Sequence, residues 1–371
     1  MDSLHNFQDI VKCFQYNGTF IKAEPYGFGH INNTYVVYIK KNNGALVRYI
    51  LQRINTGIFK TPKKLMENIE NVTNHIRKKV MEEGGDPDRE SLNLVRTTED
   101  KSYYKSETGD YWRSYLFIEG AQTYQLVENP EHFYHAGRAF GKFQQHLADF
   151  PVGSLHETIP NFHNTQKRYE DFLEAVRKDV KGRAEEVKEE IAFIMDRAAD
   201  TKILVTLLKE GAFSLCVTHN DTKLNNVMID DVTGVGVCVI DLDTVMPGLV
   251  LYDFGDAIRS GATTTVEDEA DLSKVWLDTN LFERFTLGFI SSAGKSMTEA
   301  ELEYLPFSAK LMTLECGMRF LGDYLSGDSY FRIKREKHNL DRARNQLKLT
   351  ADMEKNLETM KHIVWDARRY R

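Results

Sequence analysis

Four polar side chains at fixed intervals, His219, Asp221, Asn226 and Asp241, have the types and spacing to do chemistry. They lie in T-H-N-D-T-K-L-N-N-V-M-I-D and the following G-V-G-V-C-V-I-D-L-D-T, within residues 218–244. Such a set suits phosphoryl transfer. One carboxylate orients an attacking hydroxyl and receives its proton, while an amide oxygen and a second carboxylate hold Mg²⁺ across the phosphates of a nucleotide. Asp221 is expected in the first role, as the catalytic residue, and Asn226 and Asp241 as metal ligands. A solvated turn would also favour Asp and Asn. Four such residues in order, each at a strand edge, favour the chemical reading.

The surrounding text predicts how they are held. A β-rich approach (214–218) leads into a polar loop, a short strand (227–229), a turn at 230–234 and a second strand (235–240) ending on the acids, so the group rides on a β-hairpin. Asp253 and Asp256, in L-Y-D-F-G-D, are expected to cap and orient that loop.

Upstream, E-P-Y-G-F-G-H-I-N-N-T-Y-V-V-Y, K-K-N-N-G-A and L-V-R-Y-I-L-Q-R predict an antiparallel meander. Gly27 and Gly29 would let backbone amides approach phosphates, with Asn32 where the third glycine of a G-x-G-x-x-G would stand. In kinases the next strand offers a lysine to the α/β-phosphates; here Gln52 falls at that register. Three solutions stay open: Gln52 as a neutral donor, Arg53 turned inward by a bulge, or another cation.

Leu65, Ile69, Val72 and Ile76 predict a helix over 61–84, opened by Thr61-Pro62 and closed by Gly84-Gly85, with Glu67 and Glu70 as candidates to face the phosphate-binding strand. Further strands are expected at 92–97, 103–105 and 111–119. The last breaks at Gly120, and the backbone of Phe117, Ile118 and Glu119 is the expected edge for adenine. A helix over 131–149 carries Gly137 and Gly141 for close packing, and two charged helices are expected in 164–210. Near the C-terminus Leu311, Leu314, Met318, Leu321 and Leu325 form a core stripe, with Glu315 and Arg319 at i,i+4 beside it. With Asp323, Tyr324, Asp328 and Tyr330 they make a polar, aromatic strip suited to a sugar.

A length of 371 residues with 42% hydrophobic content allows two lobes around large cores. A net charge of −7 argues against a nucleic-acid partner. Cys13, Cys216, Cys238 and Cys316 are scattered and suggest neither disulfides nor a zinc site. No apolar run approaches the ~18 residues of a membrane span, and M-D-S-L-H-N-F shows no signal-peptide pattern, so a cytoplasmic protein is expected. The oligomeric state is left open, a monomer included.

The blocks Y-I-L-Q, V-T-H-N-D-T-K-L-N-N, I-D-L-D-T-V-M-P-G, D-F-G-D-A-I-R and E-C-G-M-R-F-L-G-D-Y-L span nearly the whole chain. Together they resemble the aminoglycoside-phosphotransferase-like small-molecule kinases. The resemblance implies an α+β, bilobal protein-kinase-like fold. Residues 1–118 would form a nucleotide-binding β-rich lobe, and 119–371 a helical lobe carrying the catalytic hairpin (214–244) and the substrate-binding helices. It further implies ATP and Mg²⁺ as cofactors and, from the T-K-L-N-N and E-C-G-M-R-F-L blocks, a sugar acceptor. The reaction would then phosphorylate the anomeric hydroxyl of N-acetylglucosamine or N-acetylgalactosamine, with His30, Asp221, Arg319 and Tyr324 touching the sugar. A kinase of the same fold acting on an amino alcohol or aminoglycoside is the alternative. A non-catalytic nucleotide-binding relative would be expected to lack one of Asp221, Asn226 or Asp241, and all three are present.

Overall fold

Alternating apolar positions build the N-terminal part. The structure, a computed structural model, describes residues 7–27 and 31–371. After α1 (Phe7–Val11) come β1 (Thr19–Pro25), β2 (Asn33–Lys40) and β3 (Leu46–Arg53). The helices α2 (Pro62–Glu82) and α3 (Pro87–Glu90) precede β4 (Tyr104–Lys105) and β5 (Tyr111–Leu116). The strands form one antiparallel sheet in the order β1-β2-β3-β5-β4. Successive side chains leave a strand on opposite faces. Accordingly Leu51 and Trp112 pack on Ile10, Val11 and Phe14 near α1, while Tyr115 packs with Leu65, Ile69 and Val72 of α2. The expected strand at 92–97 contributes only isolated bridges, Leu94 to Tyr115 and Thr97 to Phe14, because its bonds to β5 stop at Val95 and the chain then turns to Gln15 and Lys101.

The larger part is helical. It runs through β6 (Ala121–Gln122), α4 (Pro130–His146), α5 (Thr165–Lys178), α6 (Lys188–Met195) and α7 (Asp200–Lys209) to the site-bearing strands β7 (Cys216–Thr218), β8 (Val227–Asp230), β9 (Gly236–Val239) and β10 (Met246–Gly248). The helices α8 (Val250–Gly261), α9 (Thr279–Ala293), α10 (Glu299–Ser326), α11 (His338–Lys355) and α12 (Leu357–Ala367) follow. Residues 164–210 thus hold three helices where two were expected, since Asp179 takes a left-handed conformation that ends α5.

Close packing of α4 on α9 holds this part together. A Cβ on Gly137 would lie 2.4 Å from the Phe285 carbonyl oxygen, and one on Gly288 would lie 2.1 Å from that of Tyr134. Only glycine permits that approach. Among the described residues, no helix is long and apolar enough to cross a membrane.

Candidate active site

The loop between β7 and β8 is built by hydrogen bonds to its own backbone. Asp253, in the first turn of α8, accepts from the N–H groups of His219 (2.9 Å) and Asn220 (2.8 Å). Asp256 accepts from Thr222 N–H (3.0 Å). Both aspartates therefore fix the loop, as their position suggested. The His219 ring carries its proton on Nε2, which donates to Ile240 O (2.9 Å), while Nδ1 accepts from Asp221 N–H (3.3 Å). The histidine thus ties the loop to the end of β9. Asn220 and Asp241 both take left-handed φ values, which Asn and Asp tolerate better than most residues.

On this frame Asp221, Asn226 and Asp241 converge. Asn226 Nδ2 donates to Asp221 Oδ2 (3.0 Å) and to Asp221 O (2.7 Å), which leaves its Oδ1 to face a cation. Ile240 N–H bonds Asn226 O (2.9 Å) and so sets Asp241 beside the pair. Lys223 Nζ stands 2.8 Å from Asp221 Oδ1. Burial raises the Asp221 pKa, but Lys223 outweighs it and holds the group down at about 2. Asp241 moves the other way: desolvation, then the charges of Asp243 and Asp221, push it up to about 7. Its carboxylate is open to the cleft, so water screens part of that repulsion.

Excess negative charge of this kind suits a cation. Among the described residues, no group of three or more His, Cys, Asp or Glu side chains encloses a metal by itself. That agrees with Mg²⁺, which typically takes one or two protein ligands and completes its shell with phosphate oxygens and water. The donor set fits.

The cation at the base of the sheet is Arg113, which the spacing did not reveal. It pairs with Asp243, both side chains being at most 5% exposed, and its Nε donates to Gln52 Oε1 (2.9 Å), its register partner on β3. Burial disfavours its charge, but Asp243 more than offsets this and holds its pKa above the usual range. Gln52 also donates to Thr34 (3.0 Å), so its amide positions Arg113. The β2–β3 register has no bulge, and Arg53 turns away to Asn33 and Asp110. Of the three solutions left open, an inward-turned Arg53 is not seen, and Gln52 lies against Arg113. One signal was available: an arginine inside the aromatic strand Trp112–Tyr115 needs a buried partner, and I-D-L-D supplies a second carboxylate.

Other expected residues are placed as follows. Asn32 donates to Asp243 Oδ2 (2.5 Å) and accepts from Asn55 N–H (3.0 Å), so its side chain is engaged within the protein. Gly27 has φ +77° and forms the bend after β1. Gly29 and His30 lie outside the described residues. Neither acid of α2 is paired with β3: Glu67 meets His156 (2.6 Å) and Glu70 meets Arg96 (2.5 Å). At the crossover, Phe117 N–H bonds Arg48 O (3.3 Å), and Glu119 pairs with Arg48, which stacks over the Phe117 ring. Among the described residues, Ile118 has both backbone groups without a partner.

The strip on α10 divides. Glu315 does not pair with Arg319 but with His163 (2.8 Å), a tertiary partner winning over the helical neighbour. Arg319 has no carboxylate partner among the described residues and is flanked by the rings of Phe162 and Phe331 at 5.2 and 5.5 Å. Tyr324 is not brought to this group. It is buried with Phe172 and Val187, under Arg183, and its hydroxyl reaches Glu186 (3.2 Å). Asp323 accepts from the N–H groups of Ser329, Tyr330 and Phe331 and so folds the chain after α10.

A family model described as "Phosphotransferase enzyme family" (APH) matches residues 22–277, well over half of the chain. Among solved structures, the chain is similar to an aminoglycoside phosphotransferase from Alicyclobacillus acidocaldarius at 13% identity, covering 99% of this chain and 98% of that one, with a TM-score of 0.63. A microcompartment-associated aminopropanol kinase matches at 16% identity, 96% and 98% coverage and a TM-score of 0.60. An amicoumacin kinase in complex with AMP-PNP, Ca²⁺ and Ami matches at 12% identity, 96% and 94% coverage and a TM-score of 0.56. These likenesses show the protein-kinase-like fold.

Proposed function

Because this chain belongs to the phosphotransferase enzyme family, we propose that it transfers the γ-phosphoryl group of ATP to the anomeric hydroxyl of an N-acetylhexosamine, and so acts as an N-acetylhexosamine 1-kinase. The observation that carries the reading is the convergence of Asp221, Asn226 and Asp241 on one loop and hairpin end. Asp221 orients the acceptor hydroxyl and receives its proton. A carboxylate with a pKa of about 2 is a weak base, so its main contribution is orientation. An anomeric hydroxyl is more acidic than an ordinary alcohol and makes a small demand on such a base. Asn226 and Asp241 would hold Mg²⁺, which supplies neutralisation of the phosphate charge. Gly27 and Gly29 with the sheet edge would cover the phosphates, and the free peptide groups of Ile118, between Phe117 and Glu119, would pair with adenine. The proposal puts the division into a nucleotide-binding and a helical lobe at 118/119.

Charge around the loop supports a neutral acceptor. The nearby carboxylates are already engaged: Asp256 and Glu267 with Arg259, and Glu315 with His163. Among the described residues, Arg319 and the neighbouring Arg168 have no carboxylate partner. A cationic amino alcohol would meet repulsion there, whereas sugar hydroxyls can accept from their guanidinium groups.

The test is a panel of N-acetylhexosamines, hexoses, amino alcohols and aminoglycosides, assayed for ATP consumption, with the phosphate position read by phosphorus NMR. A sugar 1-phosphate is expected. Turnover of amines with none of the sugars would overturn the proposal.

A further inference from the structure

Among the described residues, the buried pair His163 and Glu315 has its hydrogen bonding half finished, with His163 Nε2 and Glu315 Oε2 both unpartnered. His163 Nδ1–H donates to Glu315 Oε1 (2.8 Å), which fixes the tautomer and leaves a lone pair on Nε2. That atom is buried and has no partner, although both side chains of the pair are at most 7% exposed. A buried polar atom without a partner costs on the order of 1–3 kcal/mol, so its retention calls for a ligand. His163 lines a cavity of about 160 Å³ together with Leu208, Met246, Pro247, Tyr252 and Asn220. The cavity therefore adjoins the loop at the residue before Asp221.

We infer that this cavity receives the acetamido group of the acceptor, with its N–H donating to His163 Nε2 and its methyl lying on Leu208, Met246 and Pro247. The inference rests on the sugar-kinase reading and deepens it. The volume suits the group: a cavity of about 150 Å³ can hold a benzene ring, and an acetamido group has fewer heavy atoms. The chemistry suits it as well. The lining joins apolar side chains for the methyl to a histidine acceptor for the N–H, with the polar Glu157, Asn161, Asn164 and Asn220 around them, whereas a hydroxyl at the same carbon would leave the apolar part empty. Glu315 acts through His163 and is a positioning residue.

The experiment compares kcat/KM for N-acetylglucosamine with that for glucose in the wild type and in three variants. His163→Phe removes the acceptor, Glu315→Gln loosens the ring, and Leu208→Trp fills the cavity from the opposite wall. In the wild type the acetylated sugar is expected to be preferred. Each variant should lower kcat/KM for it by roughly 10- to 100-fold, chiefly through KM, with glucose and ATP changed by less than about twofold. Thermal unfolding of each variant checks the fold, and Leu208→Trp keeps the test open should the dyad variants fail to fold. An equal loss for both sugars, or an unchanged preference, overturns the inference and leaves the sugar-kinase reading standing. A wild type that uses neither sugar overturns both, and the wild-type arm alone reveals it.

Discussion

Arg113→Met is the most demanding test of how the site is held. The side chain is 1% exposed, its Asp243 partner is almost equally buried, and Gln52 aligns the guanidinium between them. Methionine roughly preserves the volume and removes the charge. Asp243 would then stay buried beside Asp241 and Asp221 with Asn32 as its remaining donor among the described residues. Stranding one partner of a buried ion pair costs about 3–5 kcal/mol. For a 371-residue chain that corresponds to a fall in Tm of about 5 °C. The assay is urea unfolding of the metal-free protein, run as a double-mutant cycle with Asp243→Leu. Removing both charges should recover much of the loss, with a coupling of about 2 kcal/mol or more. A cost below about 1 kcal/mol for Arg113→Met, or simple additivity in the cycle, would refute the claim that this pair anchors the cleft floor.

Asp221→Asn should leave nucleotide binding near normal and lower kcat by ~10²-fold or more, measured by coupled ATP turnover; near-normal kcat would remove Asp221 from the mechanism. Asp241 gives a pH signature. Its folded pKa of about 7 lies above the ordinary 3.8, so the folded state holds the proton more tightly and metal-free stability declines as pH rises from about 4 through 7. Asp241→Asn should flatten that slope and, with solvent screening allowed for, make the metal-free protein about 1 kcal/mol more stable at pH 8 while weakening metal-nucleotide binding. Denaturation in chelator at several pH values reads the slope, and a variant with the wild-type slope contradicts the assignment. Gly288→Ala presses a methyl onto the Tyr134 carbonyl and should destabilise the α4–α9 contact by about 1–3 kcal/mol, seen as a lower Tm; an unchanged Tm would show that the helices separate freely.

Local order explains what was legible beforehand. The spacing from His219 to Asp241 lies within one hairpin, so sequence distance and spatial distance agree. The stripes of α2 and α10 and the small residues of α4 could be read for the same reason. Arg113 could not, because its meaning depends on strand register: only when β3 pairs with β5 does Gln52 face it, and only the β9 turn brings Asp243. The α10 strip misled in a similar way. Helical spacing put Glu315 next to Arg319, yet a histidine 152 residues away took the carboxylate. Tyr324 looked like a sugar platform in a linear reading but points into the core between α5 and α10.

Asp243, which follows β9, binds two donors from the N-terminal part: Arg113 on the sheet, and Asn32 on the segment that follows the first bend. On the proposed division at 118/119, swinging the two halves apart would separate these opposite charges. Opening is therefore resisted by electrostatics at that point, and because the pair is buried, added salt should weaken this resistance little.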